Sequence, residues 1–284
     1  MSEGLPARGV CVVTGGSRGI GAATAKLAAS RGYAVALTYR ERAAEAEAVV
    51  DAISTNGGRA IAIKGDVGCE KDVVDAFEAA DKLGPLALLV NNAGVTGTVG
   101  RLEDTADGEM LEALFRTNVV GAFLCAREAV RRMSTRRGGR GGSIVNVSSG
   151  ASQLGTPNVW IHYAATKGAM DTMTIGLAKE VAIDGIRVNA VRPGLTRTDA
   201  TVGMFADEPT VAAYMEQQPL ARDGESEDIA GAVRYFVGPE STWTTGQCLT
   251  VDGGCSLRRF PDLTPLHQKR LGDELDKAAA GIVD

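Results

Sequence analysis

Tyr163 and Lys167 stand four residues apart in a stretch with helical patterning, so their side chains share one face of the helix. A free tyrosine has a pKa of about 10 and is a poor base at neutral pH. A nearby ammonium favours the phenolate and lowers that pKa. Near the other end of the chain, Thr14-Gly15-Gly16-Ser17-Arg18-Gly19-Ile20-Gly21 lies between an apolar run and a helical pattern. Glycines there let the backbone turn sharply and let a pyrophosphate approach with no Cβ in the way, and the free N–H groups at the helix start bind the anion. One segment is suited to moving a proton and the other to holding a dinucleotide.

These segments need a scaffold, and the pattern of elements supplies one. Apolar strand-like runs cover 10–13, 34–38, 60–63, 86–90, 143–147, 187–191 and 248–251. Helical patterns separate them: from the Gly-rich turn to about Ser30, then 42–54 (ended by Asn56-Gly57-Gly58), 70–82, 107–132, 161–182 and 229–237. The stretch 194–223 is less regular and holds short helices. Strands alternating with helices give parallel β-α-β units with right-handed crossovers. The expected fold is α/β, a single Rossmann-type doubly wound parallel sheet of about seven strands with helices on both faces. Ligands then bind at the carboxyl ends of the strands, where both segments fall.

The bulk properties narrow the choices further. The chain has 284 residues with 44% hydrophobic content, enough for one substantial core. No apolar run approaches the roughly 18–20 residues of a membrane span, and residues 1–8 do not read as a signal peptide, so a cytoplasmic protein is expected. A net charge of −5 gives no general attraction for nucleic acid. The local run Arg131, Arg132, Arg136, Arg137, Arg140 is read as a solvated helix end, with an anion-binding patch as the alternative. Five cysteines without CxxC spacing fit reduced thiols. Two histidines, His162 and His267, leave little material for a metal site or a Ser-His-Asp triad.

The Gly-rich turn has the form TGxxxGxG rather than GxGxxG, and in this it resembles the short-chain dehydrogenase/reductase family. Asn91-Asn92-Ala93-Gly94, Tyr163-Ala164-Ala165-Thr166-Lys167 and Pro193-Gly194 match further family segments in order, over about 10–254. Among members, the chain resembles 3-oxoacyl thioester reductases and glucose dehydrogenases. The resemblance implies a hydride transfer between a nicotinamide and a small-molecule carbonyl or alcohol. Tyr163 would exchange the proton with the substrate oxygen, and Lys167 would lower the Tyr163 pKa and hold the nicotinamide ribose. Ser149 would polarise the carbonyl as a positioned donor, with Ser148 as the alternative, since the loop to Tyr163 is one residue longer than usual. Asn118 matches the asparagine that joins a water and Lys167 in a proton relay; a mid-helix asparagine at a local kink is compatible with that role. His162 is read as a loop-to-helix residue rather than a base.

The same resemblance distributes the cofactor contacts. Gly15, Ser17, Arg18, Gly19, Ile20 and Gly21 would hold the pyrophosphate, and Asp66 and Val67 the adenine. Asn92, Ala93 and Gly94 would lie along the adenosine ribose, and Pro193, Gly194, Thr196 and Thr198 around the nicotinamide carboxamide. An NAD enzyme usually has an acid at the end of the second strand. Here the strand ends Thr38-Tyr39-Arg40, with Glu41 read as the start of the next helix. Arg40, or Arg18 as a second candidate, can pair with a 2′-phosphate. NADP(H) is therefore expected over NAD(H).

Residues 195–218 are expected to form a substrate lid. Its Met204, Phe205, Val211, Tyr214 and Met215 either line the pocket or pack as an ordinary amphipathic helix. Family members end soon after a segment like Val251-Asp252-Gly253-Gly254, whereas here 255–284 form a C-terminal extension, with 266–282 rich in charge and alanine. A homo-oligomer, tetramer or dimer, is implied by the family alone. A non-catalytic dinucleotide sensor on the same fold is the competing function; the complete Asn118, Ser149, Tyr163 and Lys167 set argues against it. Replacing Arg40 by Asp should shift the kcat/KM ratio toward NAD, and an unchanged ratio would remove Arg40 from any contact with a 2′-phosphate.

Overall fold

The computed structural model describes residues 8–257. The seven strands are β1 (Val10–Val13), β2 (Ala34–Tyr39), β3 (Ala60–Lys64), β4 (Leu86–Asn91), β5 (Gly142–Val147), β6 (Ile186–Pro193) and β7 (Cys248–Val251). They form one sheet in the order β3-β2-β1-β4-β5-β6-β7, and every pairing is parallel. The helices are α1 (Gly19–Ser30), α2 (Ala43–Thr55), α3 (Glu70–Asp81), α4 (Leu102–Thr105), α5 (Gly108–Phe115), α6 (Gly121–Met133), α7 (Ala151–Leu154), α8 (Ile161–Val181), α9 (Val202–Phe205), α10 (Glu208–Gln217) and α11 (Ser226–Val237). Among the described residues no helix is long and apolar enough to cross a membrane. The segment 266–282 and His267 lie outside the described residues.

Helices cover both faces, so the central strands are apolar on both sides rather than alternating. In β1, Val10 and Val12 join a core with Phe77, Ala126 and Met170 from α3, α6 and α8. Cys11 and Val13 point the other way, into a core with Ala25, Val49 and Phe236 from α1, α2 and α11. Burial pushes the thiols of Cys11 and Cys125 up to about 12, so they behave as small apolar side chains.

The expected helix over 107–132 is broken. After α5, which is N-capped by the Asp107 carboxylate accepting from Glu109 N and Met110 N, a π-helical turn runs over Arg116–Val120 before α6 begins. Such a turn inserts locally wider winding and frequently marks a functional position; Asn118 lies inside it. Five strands, β2 to β6, run longer than their apolar pattern. β2 reaches Tyr39 because Tyr39 pairs with Lys64, and β6 reaches Pro193 because Pro193 pairs with Val251. The irregular stretch holds α9 and α10, the latter capped by Asp207. The four-residue helices α4 and α7 are too short to show a period. α11 starts at Ser226 through a reciprocal cap between Glu225 and Asp228, ahead of its apolar pattern.

Three arginines of the basic run, Arg131, Arg132 and Arg136, are used in ion pairs. Arg131 and Arg132 both bond the buried carboxylate of Glu128, at 2.9 and 2.7 Å, Arg132 also reaches Asp81, and Arg136 pairs with Asp184. This network ties α6 to α3 and to the end of α8. The Arg132 guanidinium also lies 5.3 Å over the Phe77 ring. Phe77 is 1% exposed, so Phe77→Ala should cost about 3–5 kcal/mol, seen as a lowered urea midpoint. A loss under about 1 kcal/mol would mean that the α3 face repacks without a cavity.

Candidate active site

Strand order reverses at β1, which has β2 on one side and β4 on the other. The loops leaving β1 and β4 therefore diverge and open a crevice. A cleft of about 460 Å³ occupies it. Thr14 and Asn92 lock its base. The Thr14 hydroxyl accepts from Asn92 N and Ala93 N, both at 3.0 Å, while Asn92 Nδ2 donates to the Thr14 and Gly15 carbonyls at 2.9 and 3.0 Å. The Thr38 hydroxyl accepts from Gly15 N at 3.3 Å, fixing the Gly-rich turn to β2.

That turn is built for close approach. Gly15 and Gly19 have φ of +61° and +52°, and a Cβ on Gly15 would lie 3.0 Å from Ala93 Cα. Gly15, Ser17, Arg18, Gly19 and Ile20 line the cleft at the N-terminus of α1. Gly21 does not. A Cβ there would lie 2.3 Å from the Gly15 carbonyl and 2.5 Å from Asn92 Nδ2, so Gly21 shapes the turn from behind. The residues fit a dinucleotide: glycines admit a pyrophosphate, and the first N–H groups of α1 face it with no side-chain cap in competition.

At the β2 end of the cleft, Tyr39, Arg40, Asp66 and Val67 are present as expected. Glu41 differs from its reading. α2 starts at Ala43, so Glu41 is a loop residue that lines the cleft. It pairs with Arg40 at 3.0 Å, and Arg40 lies 3.9 Å from Asp66 on its other side. An acid thus does stand beyond the second strand, held by the arginine next to it. Arg18 reaches across the mouth to Asp199 at 3.1 Å.

Asn92, Ala93, Gly94, Pro193, Gly194, Thr196 and Thr198 also line the cleft, as do Ser149, Tyr163 and Lys167. Lys167 is buried, and its ammonium donates to the Val147 carbonyl at 2.8 Å. Burial lowers its pKa to about 8, opposed by the charge of Asp171 one turn along the helix. The ammonium lies 5.6 Å from the Tyr163 ring centroid. Burial raises the Tyr163 phenol above its ordinary value, and a hydrogen bond with Ser149 pulls it back. Desolvation and the Ser149 hydrogen bond, rather than the expected Lys167 ammonium, are what shift the phenol here. The Ser148 hydroxyl is turned away, donating to the Lys167 carbonyl at 3.2 Å. Ser149 accepts from Ala151 N at 3.1 Å, which aims its hydroxyl from the start of α7.

Asn118 does not line the cleft. Its Oδ1 accepts from Val95 N at 2.9 Å, and its Nδ2 donates to the Val95 carbonyl and the Thr166 hydroxyl at 2.8 and 3.0 Å. His162 is also outside the cleft and is buried, with Nε2 against the Gly97 backbone. From the expected lid, Met204 and Tyr214 line the cleft; Phe205 instead lies under the Arg197 guanidinium, 4.3 Å from its centre. Cys255 adds a wall from the segment after β7.

Several residues here carried no prior role. Asn91 donates to Asn146 Oδ1 at 2.9 Å and Asn146 to Thr174 at 2.8 Å, a buried polar chain from β4 through β5 to α8. Asparagines within apolar strand runs are the signal that marks them. Thr38 and Thr166 have no such signal, because a threonine in a strand or helix is ordinary, whereas Thr14 opens the Gly-rich motif itself.

The family described as enoyl-(acyl carrier protein) reductase matches residues 15–256. The chain belongs to the short-chain dehydrogenase/reductase family. An oxidoreductase of Escherichia coli is 44% identical over 247 residues, covering 86% of this chain and 99% of that protein. A 3-oxoacyl-[acyl-carrier-protein] reductase of Synechocystis is 38% identical over 251 residues, covering 86% and 96%. A short-chain dehydrogenase from Burkholderia cenocepacia, solved in complex with NADP, superposes with a TM-score of 0.78 at 36% identity, covering 86% of this chain and 96% of that one. This family member is an oxidoreductase, and its seven-stranded parallel sheet is the family's Rossmann fold.

The close packing behind the turn gives a direct test. Gly21→Ala should weaken NADPH binding by roughly tenfold or more, about 1.4 kcal/mol, through displacement of Gly15 and Asn92. Calorimetric titration reads this, and unchanged affinity in a folded variant would mean that the turn tolerates the displacement.

Proposed function

We propose that the protein transfers a hydride between NADP(H) and a carbonyl or secondary-alcohol substrate, with Tyr163 as the acid/base. One observation carries the reading: Ser149, Tyr163 and the buried Lys167 converge in a cleft that also passes the Gly-rich turn. When bound, the nicotinamide supplies or accepts the hydride. Ser149 and Tyr163 hold the substrate oxygen by hydrogen bonds, and in reduction Tyr163 gives its proton to that oxygen. Lys167, with a pKa near 8, is mostly charged at neutral pH and stabilises the phenolate that remains. Asn118 belongs to this machinery through its bonds to Val95 and Thr166.

NADP(H) is favoured over NAD(H) by Arg18, Arg40 and Arg42 around the adenosine end, with Glu41 already paired to Arg40. The NADP complex of the Burkholderia relative supports the same choice. Gly15, Ser17, Arg18, Gly19 and Ile20 would hold the pyrophosphate, with Gly21 shaping the turn. Tyr39, Arg40, Asp66 and Val67 would hold the adenosine. Asn92, Ala93 and Gly94 would line the ribose, and Pro193, Gly194, Thr196 and Thr198 the nicotinamide. The apolar mouth formed by Leu154, Trp160, Met204 and Tyr214 suits a substrate with an apolar substituent beside its carbonyl. Segment 195–218 would act as the lid. A homo-oligomer is part of the reading: Phe115, Val120 and Phe123 are 38–52% exposed around the π-helical turn, an apolar face that a second copy would cover. A cytoplasmic location completes it.

Two measurements test the proposal. Titration with NADPH and NADH should show tighter binding of NADPH, and binding of neither to folded protein would leave a scaffold role instead. Tyr163→Phe should cut turnover by about 10²-fold or more, with NADPH affinity within about twofold. Full activity in that variant would overturn the mechanism.

A further inference from the structure

We propose that Thr166 is a positioning residue, the link through which Asn118 fixes Tyr163 for proton exchange; the proposal rests on the role of Tyr163 given above. Thr166 is completely buried. Its hydroxyl donates to the Tyr163 carbonyl at 2.7 Å and accepts from Asn118 Nδ2 at 3.0 Å. Its single proton and an acceptor lone pair are thus both engaged, and the Asn118 amide has its two N–H groups on Thr166 and on the Val95 carbonyl. Asn118 is held to the loop after β4 by Val95 on one side and to α8 by Thr166 on the other.

The position of Tyr163 makes this bond matter. It lies in the first turn of α8, whose N-cap residue is Trp160, with no side-chain hydrogen bond to the free N–H groups. An uncapped first turn is the part of a helix that frays most readily. The turn bearing the phenol therefore needs an anchor from outside the helix. Thr166 provides it, because it connects that turn to a π-helical segment packed against α8. Gly94 occupies the gap between Asn118 and Lys167: a Cβ there would lie 3.3 Å from Asn118 Oδ1 and 3.6 Å from Lys167 Nζ. Asn118 and the Tyr163–Lys167 pair are thus neighbours, and the hydrogen-bonded path from one to the other passes through the threonine hydroxyl.

The test compares Thr166→Val, which keeps the shape and removes the hydroxyl, with Thr166→Ser, which keeps the hydroxyl. Each is measured for kcat and KM, for NADPH affinity, and for ionisation of Tyr163 by tyrosinate absorbance, with Tyr163→Phe identifying that component. T166V should lower kcat by roughly tenfold, with NADPH affinity within about twofold. It should also move the Tyr163 ionisation to higher pH, as the ring loses its fixed position. T166S should stay within about threefold of the parent in kcat and leave the ionisation in place. If T166V does not fold, T166A removes the same hydroxyl and is read in its place. Parent-like kcat and ionisation without the hydroxyl would overturn the proposal, as would a loss in T166S equal to that in T166V. Absence of turnover in the parent protein would instead reject the function above, and the ionisation measurement would still decide the role of Thr166.

Discussion

The mutual clamp between Thr14 and Asn92 holds open the crevice on which everything else in the site depends. Parallel strands leave β1 and β4 side by side, and their outgoing loops part because the chain crosses to opposite faces of the sheet. Four hydrogen bonds of 2.9–3.0 Å fix those two loops relative to each other. With that base set, the glycines of the turn and the backbone of 92–94 become the walls of one cleft. A ligand bound there meets both without reorganising either, which is the condition for preorganised binding.

From the base of the crevice, rigidity passes to Ser149, Tyr163 and Lys167 by buried polar chains. Asn91, Asn146 and Thr174 connect β4, β5 and α8 inside an otherwise apolar interior. Lys167 on the same helix donates a hydrogen bond to the Val147 carbonyl at the end of β5. Apart from Asn91 Oδ1, the side-chain polar groups of these chains are hydrogen-bonded, which favours one arrangement over several. The desolvation that depresses Lys167 toward 8 and raises Tyr163 follows from the same enclosure. Burial thus brings the Lys167 ammonium toward physiological pH and takes the Tyr163 phenol further from it, with Asp171 and Ser149 as the opposing influences.

The cleft also has a division of labour along its length. Charged side chains gather at the β2 end, where Arg18, Arg40, Glu41 and Asp66 form exposed pairs that solvent screens and that a ligand anion can displace at small cost. Leu154, Trp160, Met204 and Tyr214 give the same cleft an apolar part of its wall.

The alternation of apolar runs and helical patterns in the sequence was enough to determine the parallel α/β sheet, because period and burial are local properties. Tyr163 and Lys167 could be placed on one face, and the Gly-rich turn between β1 and α1, for the same reason: their geometry lies within a few residues. Resemblance in order and spacing supplied the family. What the chain did not reveal depended on partners distant in sequence. Glu41 read as helix because nothing nearby shows that α2 waits until Ala43 and that the acid turns to Arg40. Gly21 read as a ligand contact, but its constraint comes from Gly15 and Asn92 behind it. The helical pattern through 107–132 hides the π-helical turn, since apolar periodicity averages over one inserted residue, while the turn itself is stabilised by Asn118 reaching Val95 and Thr166. The choice of Ser149 over Ser148 for Tyr163 rests on which way each side chain leaves the end of β5. Fold and inventory of chemical groups could be read along the chain, since their signals are local. The orientation and coupling of those groups came from folding, because hydrogen bonds between residues tens of positions apart exist only once the sheet brings them together.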